Sequence, residues 1–370
     1  MINFNKVEID KNIQINIKKS LHGHISGSGP FAKKCESIIE KQLNVKKALL
    51  VTSCTHALEA SAILINLKPG DEVIVPSFTF VSTALAFQMR GAKIKFADVK
   101  KDTFNIDENE IAKLITKKTK AICVVHYSGV SANMDKIMKI AKKNKLFVIE
   151  DNAHGYGATY KGKKLGSIGH LGTLSFHATK NLTCGEGGAL LINDKKLIKR
   201  AQVIIEKGTN RTSYLNFEIK KYEWIDKGSS YIISDVLASI LYSQLVNSKR
   251  IINQREKIWD NYNKNLHTYF TTQHVPNHCR QGYHIFSLIL KNKKEADNFI
   301  NFLKKNNITV KKHYTDLSSS PFSRNKLKNK YTCKTSKILS ERLVRLPLYS
   351  SLKNKDVNRI IKFVKKFKNL

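Results

Sequence analysis

Paired cysteines, long apolar runs and the common glycine-rich phosphate motifs are all missing from this 370-residue chain. The six cysteines, Cys35, Cys54, Cys123, Cys184, Cys279 and Cys333, are widely spaced and form no C-x-x-C pair. That speaks against a zinc site or a disulfide framework and fits a reducing cytoplasm; no metal is expected. No stretch approaches the ~20 apolar residues of a bilayer-spanning helix, and the opening MINFNKVEIDKN lacks the apolar core of a secretion signal. The expectation is a cytoplasmic protein with no membrane partner. No G-x-G-x-x-G follows the first strand-like run and no G-x-x-x-x-G-K-[ST] occurs anywhere, so a Rossmann dehydrogenase and a P-loop NTPase are poorly supported.

Acidic residues are scarce too: 29 Asp and Glu stand against 65 Lys and Arg, a formal net charge of +36. Clustered cations would point to nucleic acid. Here the lysines are spread over nearly every expected helix and loop (MDKIMKIAKKNK, KKLIKR, KNKKEADNF, KFVKKFK), interleaved with apolar residues. That is a compositional bias, so no nucleic-acid partner is expected, although a positive surface favours an anionic substrate. A basic nucleic-acid-binding protein is the rival from another class, and would bind DNA with a steep salt dependence.

Short strand-like runs alternate with helical stretches of about ten residues. Strands are expected at 47–52, 71–76, 92–99, 121–126 and 146–150, with helices at 32–42, 57–65, 78–90, 107–114, 134–145 and 195–207. This alternation predicts βαβ units and an α/β fold with a mostly parallel sheet flanked by helices. The Gly/Ser stretch LHGHISGSGPF, 21–31, reads as irregular. From Ile233 a long helical pattern, bent near Asn247, leads out of a large domain, residues 1–250. The remainder, 251–370, reads as a smaller α+β domain with strands at 284–290 and 308–314.

The chain is organised around LGTLSFHATKNLTCGEGGALLIN, residues 171–193. Two apolar runs flank a polar connection, which puts Lys180 in a turn between strands. Upstream, FVIED ends a hydrophobic run on two carboxylates, so Asp151 falls at the carboxyl end of a parallel strand, where open α/β sheets bind ligands. Strand, Ser53–His56 turn and helix start together make an anion site, although Ser53 and Thr55 could equally be N-caps.

SFHATKN with GEGGALLIND, preceded by VIEDNAHG and PSFTFVSTALAF, resembles the DegT/DnrJ/EryC1/StrS family of sugar aminotransferases, which use pyridoxal phosphate on fold type I. The runs SCTHALEASAIL, FVSTALAFQMRGAKI, VHYSGV, EKGTNR and GSSY are similar to members that make dTDP-4-amino-4,6-dideoxygalactose. The resemblance implies a homodimer that moves the amino group of L-glutamate to the 4-keto carbon of dTDP-4-keto-6-deoxyglucose, for a surface polysaccharide. Another nucleotide keto sugar, aminated at C3 or carried on UDP, is the alternative. Retention of Lys180 disfavours the family's dehydratases, which have histidine there.

The same resemblance assigns roles. Lys180 is the Schiff-base lysine and proton shuttle, Asp151 holds the pyridine nitrogen, and Glu150 beside it is structural. Thr55, the His56 amide and Ser175 would hold the phosphate; Phe80 would stack on the ring, and His154 and Asn181 would lie near the cofactor. Two departures stand out. GSSYII puts Ser230 where relatives carry an Asn that reaches the partner's phosphate, with Ile232 in place of Arg. HYTDLSSSPF keeps His313 and Tyr314, expected to contact substrate, but lacks the second histidine of HY-x-P-L-H.

Overall fold

Runs of Val, Ile, Leu and Ala, buried on both faces, build the centre of the computed structural model, which describes residues 1–9 and 11–368. The strands are β1 (Lys47–Val51), β2 (Glu72–Pro76), β3 (Lys93–Ala97), β4 (Thr119–Val125) and β5 (Phe147–Asp151), a short ribbon of β6 (Thr159–Tyr160) and β7 (Lys163–Lys164), then β8 (Leu171–Ser175) and β9 (Gly188–Ile192). Seven of them form one sheet in the order β1-β9-β8-β5-β4-β2-β3. Every neighbouring pair is parallel except those that β9 makes with β1 and β8. The sheet is thus mostly parallel and flanked by helices, the α/β class expected from the alternation. Near-continuous apolar strands are what coverage of both faces demands.

The reversal of β9 has a local cause. The connection 176–187 folds back on itself, so β8 and β9 pair antiparallel from Ser175 opposite Gly188. A Cβ on Gly188 would lie 2.4–2.6 Å from backbone atoms of Ser53 and Cys54, so only glycine lets this hairpin reach the helix that follows β1.

Several expected boundaries move. Residues 21–31 are not all irregular: α1 (Lys11–His22) runs into the stretch and α2 (Pro30–Leu43) starts before its end. In α1 the apolar face is thin, only Ile13 and Ser20 being buried, and hence hidden among Lys, Asn and Gln in the sequence. After α3 (Cys54–Leu64), the helix expected from Phe78 begins only at Ser82, as α4 (Ser82–Gln88). Tertiary pairing holds the preceding backbone extended: Phe78 bridges Asp316, the Leu317 amide donates to the Ser77 carbonyl at 3.0 Å, and the Ser77 hydroxyl donates to the Asp316 carboxylate. A short helix, Arg211–Leu215, lies beyond the helix expected at 195–207.

The bend near Asn247 is observed, between helices Asp235–Val246 and Ser248–Leu266. Beyond it lie β10 (Thr271–Thr272), β11 (Cys279–Arg280), which pairs with β6, then β12 (Ser287–Ile289), β13 (Lys311–Lys312) and β14 (Leu343–Arg345). A second, antiparallel sheet runs β10-β12-β14-β13. Its strands are shorter than expected. Phe286, Leu288, Phe299, Leu303, Ile360 and Val364 pack together in the core that covers it. The N-terminal segment is tied here as well, Ile2 pairing with Ile308. The last two residues of the expected 251–370 unit lie outside the described residues.

Glu150 anchors the sheet's centre. Fully buried, it accepts from the Gly166, Ile168 and Gly169 amides at 2.8, 2.7 and 2.6 Å and meets His126 Nε2 at 2.9 Å. Glu150→Ala leaves these groups without a partner where water cannot reach. The expected loss is at least about 3 kcal/mol of stability, read as a lower denaturant midpoint.

Candidate active site

The carboxyl ends of β1, β2, β4, β5 and β8 point to one side of the large sheet, the side on which open α/β sheets take ligands. A cavity of about 560 Å³ opens there, and the strands of the second sheet close its other wall. Asp151, Ser175 and Lys180 line it together with Thr55, His154 and Tyr314.

Lys180 sits in the β8–β9 turn. Its amide donates to the His177 carbonyl at 2.9 Å, and Ala178 N to Gly185 O at 2.8 Å, so the turn is cross-braced from within. Outside it, the Asn5 side chain donates to the Ala178 carbonyl at 2.8 Å. Burial pushes the Lys180 amine down to about 8; the Arg345 charge adds to this, and Asp151 opposes it. An amine in that range is partly neutral near pH 7 and can act as nucleophile or base.

Asp151 ends β5 and is buried. Its carboxylate accepts from Thr83 Oγ1 at 2.7 Å and from the Ala153 amide at 3.3 Å. Thr79 Oγ1 lies 2.8 Å from Thr83 Oγ1, so a chain of hydroxyls orients the acid. Cys54 Sγ lies 3.3 Å from Thr173 Oγ1, and burial pushes its thiol up, which leaves it uncharged beside Asp151.

At the start of α3, Ser53 is the N-cap and its hydroxyl accepts from the His56 amide at 3.1 Å. That amide, expected to face a phosphate, is therefore engaged by the cap; helix geometry leaves the Cys54 and Thr55 amides without intrahelical acceptors instead. Thr55 Oγ1 lies 2.8 Å from Ser82 Oγ. The His56 ring turns from the cavity to hydrogen-bond Thr52 and to rest against Tyr231, ring centroids 5.1 Å apart. Ser175 is half-buried at the end of β8, and Phe80 lines the cavity as an exposed ring.

Asn181 is placed otherwise than expected. Its amide donates to the Gly282 carbonyl at 2.5 Å and its oxygen lies 2.8 Å from His284 Nδ1, so it steadies His284 without itself lining the cavity. His284 stacks on His154 at 4.4 Å. The Ser128 amide donates to His154 Nδ1 at 3.2 Å, which leaves the ring proton on Nε2, 3.1 Å from the Tyr314 hydroxyl. Ser128 adopts a left-handed backbone, φ 62°, to aim that amide. His313 Nδ1 lies 3.0 Å from the Tyr127 hydroxyl. Burial holds His154, His284 and His313 well below the usual imidazole range, so these three rings are neutral.

The missing second histidine has a structural counterpart. Ser318, in its place, is fully buried and donates its hydroxyl to Asp316 at 2.8 Å, bracing the junction with Ser77. Ser230 is exposed and off the cavity wall, its backbone bridged to Glu206. Among the described residues no group of three or more His, Cys, Asp or Glu could hold a metal ion, and no helix is long and apolar enough to cross a membrane.

Arg255, Lys311, Arg345 and His284 also line the cavity and escape motif reading. Thr83 lies inside the PSFTFVSTA run, and its spacing of four from Thr79 was the available signal. Arg255 is 3% exposed and donates to the Tyr283 and His284 carbonyls at 3.0 and 2.8 Å.

The sequence profile of the DegT/DnrJ/EryC1/StrS aminotransferase family matches residues 7–365. The chain is 30% identical over 344 residues to GDP-perosamine synthase of Escherichia coli O157:H7, covering 93% of this chain and 92% of that protein. It is 32% identical over 299 residues to UDP-4-amino-4,6-dideoxy-N-acetyl-beta-L-altrosamine transaminase of Campylobacter jejuni, covering 78% and 77%. In fold it matches Spr1654 of Streptococcus pneumoniae, solved in a PLP form, with a TM-score of 0.92 at 24% identity, covering 100% of this chain and 98% of that one.

Proposed function

Since the chain belongs to the DegT/DnrJ/EryC1/StrS aminotransferase family, we propose that its cavity passes the amino group of L-glutamate to the 4-keto carbon of dTDP-4-keto-6-deoxyglucose, giving dTDP-4-amino-4,6-dideoxygalactose for a surface polysaccharide. The chain is a nucleotide-sugar aminotransferase, and its cofactor is pyridoxal phosphate. The observation that carries the reading is the meeting of Lys180, Asp151 and the α3 start in one cavity.

The residues present fit that cofactor. When bound, it supplies an electron sink for the pair left on the substrate carbon once the proton departs. Cys54 and Thr55 amides with Ser175 would take its phosphate, at the positive end of α3. Asp151, oriented by Thr83, would keep the ring nitrogen protonated. Lys180 would anchor the cofactor and move a proton to and from the reacting carbon. Phe80 would cover the ring face, His154 would lie beside the cofactor, and His313 and Tyr314 would position the sugar by hydrogen bonds. In this reading residues 1–250 form the cofactor unit and 251–370 the covering unit.

A cytoplasmic homodimer completes the proposal. Phe217 is 96% and Trp224 82% exposed, and Tyr222 and Ile225 are exposed in the same stretch of chain, apolar surface that an isolated chain would leave in water. Ser230 follows in the same segment and would reach the partner's site. Sedimentation at micromolar concentration should show no appreciable monomer; a stable, fully active monomer would remove the second protomer from the site.

The substrate is tested by supplying dTDP-, UDP- and GDP-linked 4-keto sugars, and a 3-keto sugar, with L-glutamate. Preferred amination of the dTDP-4-keto sugar, with the galacto product, is expected. The E. coli and C. jejuni relatives, named for GDP and UDP sugars, give the alternative carriers. Preference for either would replace the dTDP assignment.

A further inference from the structure

Strand register sets Lys311 directly opposite Arg345, and both side chains line the cavity. Like charges in cross-strand positions repel, and no carboxylate relieves them among the described residues; the nearby ion pairs use Lys312 with Asp297 and Arg250 with Glu8. Arg345 donates from Nη2 to the Lys312 carbonyl at 3.2 Å, while its Nε is buried with no acceptor. Its guanidinium lies 4.7 Å from the Phe4 ring centroid, and Lys311 Nζ lies 5.6 Å from the same centroid. Phe4 itself is held from both sides: Ile2 pairs with Ile308 of the second sheet, and Asn5 donates to Ala178 in the turn that carries Lys180.

Two cations on one wall, one of them with an orphaned donor, stand beside the reactive amine and lack an anion that only a ligand could bring. A cofactor phosphate has a cradle elsewhere, at the start of α3 behind β1. An arginine stacked on an aromatic ring presents a fixed planar fork, the geometry that suits a carboxylate. We propose that Arg345, seated on Phe4 and flanked by Lys311, recognises a carboxylate of the amino donor, so that the N-terminal segment completes the donor subsite. The proposal rests on reading the cavity as a transaminase site. In it Arg345 and Lys311 touch the donor, and Phe4 is a positioning residue acting through Arg345.

The test separates the two half-reactions in the cofactor-loaded protein. Mixing with L-glutamate and following the cofactor's visible absorption gives the donor half-reaction; the aminated form with a nucleotide keto sugar gives the other. Arg345→Gln should raise the apparent Kd for glutamate about tenfold or more, Arg345→Lys should recover part of that, and the keto-sugar KM should stay within about twofold. Calorimetry supplies a readout without turnover: glutarate, a dicarboxylate with no amino group, should bind the wild type and fail to bind Arg345→Gln. Phe4→Ala should weaken glutarate binding in the wild-type background and change nothing further in Arg345→Gln. Should Arg345→Gln fail to fold, Lys311→Ala and Phe4→Ala carry the test, with a rise of about threefold or more in the glutamate Kd expected. Unchanged glutamate and glutarate binding would overturn the proposal; so would weakened keto-sugar or free dTDP binding in its place, which would assign the wall to the diphosphate. A wild type that binds glutarate through Arg345 yet aminates no keto sugar would instead sink the functional reading and leave the carboxylate site standing.

Discussion

Lys180→Ala protein should bind pyridoxal phosphate and fail to turn over. Binding survives because the contacts proposed for the phosphate and the ring nitrogen, at the α3 start, Ser175 and Asp151, do not involve the lysine. Chemistry stops because the cavity offers no other amine so placed: Lys311 stands on the second sheet, and the nearby histidines are held neutral by burial. Loss of both the anchor and the proton carrier should lower turnover by on the order of a thousandfold or more. Supplied with aminated cofactor and a keto sugar, the variant should form at most a single equivalent of adduct, slowly, and hold it. Steady turnover within about tenfold of wild type would show that another group carries the proton.

Asp151→Asn is the second large effect. The swap preserves shape, and the Thr83 hydroxyl can still donate to the amide oxygen, so the melting transition should stay close to wild type. What is lost is charge. A neutral amide cannot balance a protonated ring nitrogen in a buried site, and removing one such electrostatic partner costs on the order of 10²–10³ in rate. The drop should appear in both half-reactions, because both draw on the same electron sink. Near-normal turnover would take Asp151 out of the role. A comparable loss accompanied by unfolding would instead make it a structural acid, as Glu150 is with its three amides and His126.

Most of the large sheet could be read from sequence because its inner strands are apolar almost end to end, a pattern with few alternative homes, while the edge strand β3 (KIKFA) alternates with lysine. The ends of those strands place Asp151 and Lys180 at one edge of the sheet. The break at Asn247 was legible for a similar reason: an apolar Ala/Leu/Ile helix gives way there to one studded with Lys, Arg and Asn. What escaped depends on distant pairing. Phe78 to Val81 look helical alone, yet the Ser77–Asp316 junction holds Phe78 in a strand-like bridge, and the helix starts only beyond Val81. The side chain of Asn181 follows Lys180 in sequence but points to Gly282 and His284, which no local pattern specifies.

Cations were the least legible. With 65 lysines and arginines, no spacing distinguishes Lys311 and Arg345 from the rest. Only the register between β13 and β14, and the arrival of Phe4 from the other end of the chain, sets them apart. His56 shows the opposite case. Its position in the turn suggested a free amide, but an N-cap serine three residues upstream competes for the same hydrogen bond, and in the structure the serine has it.

The most direct measurement is borohydride reduction of the cofactor-loaded wild type, followed by proteolysis and mass mapping. A pyridoxyl adduct on the peptide carrying Lys180, at one equivalent per chain, and none on any peptide of Lys180→Ala, is the predicted result. An adduct on a different lysine, or no adduct from a protein that still transaminates, would contradict the assignment of this turn as the centre of the active site.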